Sequence, residues 1–98
     1  MTEHVVRRGE RFEVGIRLIR RGLTDKPRAA TAASVRFLTL ANADAGGPFP
    51  AAFDAEFGGW AAVCPARTEA AGTVLTQVQS VTVAGVEYES RGTLRVIA

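Results

Sequence analysis

Arg11-Phe-Glu-Val-Gly-Ile-Arg-Leu18 alternates without a break. Phe12, Val14, Ile16 and Leu18 fall on one side, and Arg11, Glu13, Gly15 and Arg17 on the other. A repeat of two is that of an extended chain, whose successive side chains point to opposite faces. The stretch therefore reads as a half-buried antiparallel strand, apolar toward a core and polar toward water. No helical spacing competes with it.

Beta character continues on both sides. Residues 20–33 contain Gly22 and Pro27 and read as a long connection, although the alanines permit one short helix over Arg28–Ala33. Ser34–Ala41 forms the next strand. Its apolar residues Val35, Phe37, Leu38 and Leu40 break simple alternation, which predicts a bulge near Phe37-Leu38 or burial from both sides. Asn42–Pro48 is a loop by composition. Residues 49–57 admit two readings. Phe49, Phe53 and Phe57 are four apart, as on a helix, but the segment also fits a strand that turns at Gly58-Gly59 into Trp60–Cys64. The hairpin is preferred.

Gly72–Val83 is rich in Val and Thr and reads as the longest strand. Its apolar parity changes between Val78 and Val81, which calls for a bulge or for cover on both faces. Val86–Ser90 and Thr93–Ala98 follow behind glycine turns. The expected architecture is all-β: a small antiparallel β-sandwich, immunoglobulin-like, of six or seven strands. The 98 residues and 10.4 kDa hold one domain over 1–98, with 1–8 expected as a flexible N-terminal arm. Residues 1–8 and 42–50 are expected to gain order on assembly.

Composition narrows function by exclusion. One cysteine rules out an internal disulfide framework, and one histidine removes most hydrolase and zinc schemes. The opening residues show no apolar core of a signal peptide, and no run approaches a membrane span. His4 reads as solvated near the terminus, and Cys64 as a small packed apolar group. Asp54 and Glu56 share a strand face but bring too few oxygens for calcium. No nucleophile elbow or Ser-x-x-Lys arrangement is present. No catalytic residue, cofactor or metal site is expected.

Charge carries more information. Residues 1–40 sum to +5 and residues 41–98 to −3, and eleven of the twelve bases are arginine. A basic face is expected at Arg11, Arg17, Arg20 and Arg21, and an acidic face at Asp54, Glu56, Glu87 and Glu89. Faces of opposite sign can join copies of one chain. Nucleic acid is not expected as a partner, because such domains combine a stronger basic excess with a reading element. Trp60 and Phe49 are the aromatic candidates for a ligand or interface contact.

Several segments resemble one family. They are Arg8–Leu18, Ala33-Ser-Val-Arg-Phe37, Ala71–Val78, Ala84-Gly-Val-Glu-Tyr88 and Gly92-Thr-Leu-Arg-Val96. Over about half its length the chain resembles the small immunoglobulin-like β-sandwich domains of tailed-bacteriophage virion proteins, in baseplates, tail tubes and heads. Val74 and Thr76 stand where the antibody corner tyrosine and paired cysteine would fall, so no antibody-type disulfide core is implied. The resemblance implies a structural or interaction role, with the chain itself and other virion proteins as partners, a homo-oligomer, and assembly in the host cytoplasm. The rival expectation is a carbohydrate- or peptide-binding module that uses Trp60 and the Phe49–Phe57 segment.

Overall fold

The computed structural model describes residues 3–16, 30–54, 56, 59–83 and 85–98. These form seven strands: β1 Glu3–Arg7, β2 Phe12–Ile16, β3 Ala30–Leu38, β4 Phe49–Asp54, β5 Gly59–Cys64, β6 Val74–Val83 and β7 Val86–Ile97. Among the described residues there is no helix, so none is long and apolar enough to cross a membrane. The strands make one sheet in the order β1-β7-β6-β3-β4-β5-β2. Every neighbouring pair is antiparallel except β1 and β7, which run parallel.

The sheet is rolled, and β4 makes the fold. Its first residues, Phe49 and Pro50, pair with Val35 and Ser34 of β3. Its remainder, Ala51–Asp54, pairs with Gly59–Ala62 of β5. A strand that changes partners in this way carries the sheet round a corner, so β5 and β2 lie across the core from β3, β6 and β7. The expected all-β architecture holds, in a barrel-like form rather than as two separate layers. Phe37 and Leu94 are the largest side chains at the centre, with Val14, Val35, Cys64 and Val96 also fully buried beside them. The Phe12 and Phe49 rings meet Phe37 at 5.9 and 6.1 Å. Full burial of each such side chain contributes roughly 1.5–3 kcal/mol.

Several expectations need correction. Residues 3–7 of the supposed arm are strand β1, because Val6 is apolar at a core-facing position and is buried beside Val96. The short helix over Arg28–Ala33 is overturned from Ala30 onward. There the chain is already β3, since pairing with β6 outweighs alanine's helical preference. Of the two readings at Phe37-Leu38, burial from both sides holds, since both residues are buried and pairing there is regular. The register of β3 shifts only between Ala30 and Ala32. Leu38 is buried on the outer face, while Leu40 is exposed. The preferred hairpin is present, but Asp54 pairs with Gly59, so Gly59 belongs to β5 rather than to the turn.

The loop before β4 is bound to the sheet. Phe37 N–H donates to Gly46 C=O at 2.8 Å, and Ala45 N–H donates to Phe37 C=O at 2.9 Å. Gly47 lies so close to β3 that a Cβ there would meet Arg36 Cα and Val35 O at 2.9 Å. Its φ of 98° also disfavours any side chain.

The change of parity in β6 is not a bulge, for pairing with β7 is unbroken from Val74 to Val83. Val78 is fully buried on the outer face, with Arg36 and Arg91 opposite it on β3 and β7. On the core side, Gln77 and Gln79 interrupt the apolar row of Leu75, Val81 and Val83.

Candidate functional site

Strand direction sorts the described connections into two ends. At the first lie the 8–11 turn, the 39–48 loop and the 65–73 connection. At the second lie the β4–β5 and β6–β7 turns, together with Ile16 and Ala30, the described residues that flank 17–29. The long dimension of the molecule is 39 Å.

Of the expected basic face, Arg11 is exposed at the first end, beside Arg7 and Arg8. Arg17, Arg20 and Arg21 lie outside the described residues. Of the expected acidic face, Asp54, Glu56 and Glu87 are exposed at the second end, with Asp54 Oδ1 accepting the Glu56 N–H at 3.0 Å. Glu89 lies further along β7 and is already engaged, with Arg36 Nη2 at 3.5 Å and Arg91 Nη2 at 4.0 Å. The structure therefore groups Asp54, Glu56 and Glu87 and sets Glu89 apart. The bases exposed at the opposite end, Arg7, Arg8 and Arg11, include two that the residue patterns did not single out.

Trp60 is half-buried, packed on the core and edge-on to Phe53 at 6.0 Å. Phe49 packs on the core beside Phe37. Both rings remain partly exposed.

The first end is closed by Arg67. This arginine is 9% exposed, donates from Nη2 to Ala45 C=O at 2.7 Å and grips Glu69 through both Nε and Nη2. Its guanidinium lies over the Phe37 ring, 5.3 Å from the centroid. The hydrogen bond from Arg67 holds the Glu69 carboxyl below its ordinary 4.5, against partial desolvation. Burial pushes the Cys64 thiol from 9.0 up to about 11, and the Arg67 charge opposes that only in part. A thiol so held is protonated and a poor nucleophile.

β1 and β2 stand at the two ends of the strand order, and a cleft of about 300 Å³ lies between them. Glu3 and His4 line one wall, Glu13 and Gly15 the other, and Gln77 and Gln79 lie beneath. His4 rests edge-on against Phe12 at 5.7 Å. Gln79 Oε1 accepts from Ser90 Oγ at 3.0 Å. Gln77 is 5% exposed, and its Oε1 is buried with no hydrogen-bond partner. Such a group costs about 1–3 kcal/mol when left unsatisfied. The sequence carried a signal of this cleft in the two glutamines that break the apolar row of β6.

Comparison with known proteins finds no matching family model, curated protein or solved structure. Among the described residues, no three His, Cys, Asp or Glu side chains converge as metal ligands.

Proposed function

We propose that this chain is a non-enzymatic assembly module that docks to copies of itself or to neighbouring subunits, in the manner of a virion structural protein. One observation carries the reading: charge sorts by end among the described residues. Arg7, Arg8 and Arg11 crowd the first end with only Glu10 and Asp44 against them, the Arg67–Glu69 pair being neutral in sum. Asp54, Glu56 and Glu87 occupy the second. The ends are separated by far more than the screening length, roughly 8 Å at physiological salt, so they do not neutralise each other within one molecule. A contact between unlike ends is heterologous, and it closes into a ring or continues as a tube.

Two further features support the reading. The sole thiol is held protonated in the core, and the imidazole packs on a phenyl ring. The succession β7-β6-β3, with β5-β2 across the core, matches the G-F-C and E-B neighbours of immunoglobulin-type sandwiches. The rival module built on Trp60 and the Phe49–Phe57 segment has less support, since the Trp60 and Phe49 rings are partly buried against the core.

Sedimentation over a range of protein and salt concentrations tests the proposal. The unaltered chain should gain mass with concentration and lose it with salt. Arg8→Glu combined with Arg11→Glu should leave a folded monomer. Arg17→Glu with Arg20→Glu examines the bases that lie outside the described residues. A mass that stays monomeric in the unaltered chain, or multimeric in both double variants, would falsify the proposal.

A further inference from the structure

We infer that the cleft between β1 and β2 is a receptor for a guanidinium group, presented by an arginine side chain. Three observations converge. The Gln77 carbonyl oxygen is buried in the cleft floor with nothing to accept from. The neighbouring Gln79 carbonyl already accepts from Ser90 Oγ, so the unpaired acceptor of the floor is that of Gln77. Glu3 and Glu13 line the walls, one from each strand, and Glu13 is exposed there. The Glu3 carboxylate is engaged by Arg95, whose Nε lies 3.2 Å from Oε1 on the outer face, so Glu13 is the acid left on the walls.

The lining thus offers the Gln77 carbonyl on the floor and an acid, Glu13, on one wall, and calls for a donor of positive charge. A guanidinium carries five N–H groups in a planar fork and can meet several acceptors at once, where an ammonium is a compact point charge. The volume is at the lower end of the range for small-ligand sites, suited to one side chain rather than a nucleotide or an oligosaccharide. Gly15, lacking a side chain, leaves the β2 wall open for entry.

The source of the guanidinium rests on the assembly reading, since arginine supplies eleven of the chain's twelve bases. The site itself does not depend on that reading. The test is an NMR titration of the full chain, following the Gln77 side-chain amide and the His4 ring. The probes are N-acetylarginine amide, N-acetyllysine amide and N-acetylglycine amide. The arginine probe should give saturable shifts, the lysine probe should bind several-fold more weakly, and the glycine probe should give none.

Glu13→Gln, at an exposed position, should weaken the arginine response about tenfold, as expected for loss of a charge-assisted contact. Gln77→Leu should abolish the response without lowering the melting temperature, because it removes a buried acceptor that lacks a partner. Val63→Ser, at an exposed position outside the cleft lining, should leave the arginine response unchanged. The inference is overturned if the unaltered chain shows no saturable shift and the cleft is merely hydrated. It is equally overturned if lysine matches arginine, or if Glu13→Gln and Gln77→Leu bind as the unaltered chain does.

The same samples identify the source. A saturating arginine probe that reduces the associated mass assigns the site to a neighbouring copy. Binding with unchanged mass assigns it to arginine from elsewhere. A chain that binds the probe yet never associates would sink the assembly reading alone, and one that associates without binding would sink the cleft alone.

Discussion

Arg67 is the residue on which the first end depends. One guanidinium joins the 43–46 loop to the 65–69 connection through Ala45 C=O and Glu69, and caps the Phe37 ring. Removing one partner of a buried pair leaves the other uncompensated, so the loss exceeds the worth of the bond. Arg67→Ala should cost about 2–4 kcal/mol, seen as a lower urea midpoint at unchanged slope. Arg67→Lys should recover little of it, because an ammonium cannot reproduce the two-point grip on Glu69. An Arg67→Ala midpoint equal to that of the parent would show the contact to be ornamental. The pH dependence has a definite sign. Glu69 titrates below its ordinary 4.5 in the folded chain, so its contribution is present above that value and is lost as pH falls through the lowered one. Glu69→Gln should flatten that part of the acid limb in urea midpoints taken from neutral pH to about pH 3. Cys64 acts at the other extreme: raised from 9.0 to about 11, its contribution is present below 9.0 and fades as pH climbs through about 11. Thiol labelling at about pH 8 should therefore be slow and should accelerate with denaturant. Rapid labelling of the folded chain would contradict the buried placement.

Among the elements, β2 and β6 were legible and β1 was not. The alternation of Phe12, Val14 and Ile16 is a period-two signal strong enough to survive any partner, and each of these residues packs into the core. The change of parity in β6 was visible, but its cause lay in other strands: Arg36 and Arg91 cover Val78, and the open seam receives Gln77 and Gln79. β1 has too short a pattern to declare itself, with Val6 its one buried side chain and its partner β7 at the opposite end of the chain. Contacts of such sequence separation leave no local trace. Arg67 was hidden for the same reason, since nothing near Pro65 points to Ala45 or Phe37. The placement of β1 has a testable consequence. If residues 1–7 were an arm, their removal would be neutral. As strand β1, residues 3–7 pair along Thr93–Ile97 and occupy the β7 edge, so deletion should lower the melting temperature and promote aggregation through the bared edge. Val6→Asp, which keeps the chain length, should destabilise by about 2–4 kcal/mol through a buried unpaired charge. A melting temperature unchanged in both variants would return β1 to the status of an arm.

At the scale of the molecule, polarity follows from topology. β7, with twelve residues, runs from the second end to the first, and at roughly 3.4 Å per residue it spans nearly the 39 Å length. The acidic turns and the basic turn are thus held apart by a rigid sheet. If unlike ends dock, charges can be exchanged between two variants without loss of complementarity. Counted over the described residues, Arg8→Glu with Arg11→Glu makes both ends acidic, and Glu56→Lys with Glu87→Lys weakens or reverses the acidic one. Asp54 is left in place because its carboxylate shapes the turn through the Glu56 N–H. Each double variant alone should remain monomeric through like-charge repulsion. Mixed in equal amounts at low salt, the acidic end of one meets the basic end of the other at every contact, so assembly should return. Sedimentation of the two variants separately and together decides it. A mixture that stays monomeric, while the parent associates under the same conditions, would place the docking forces elsewhere than in the end charges.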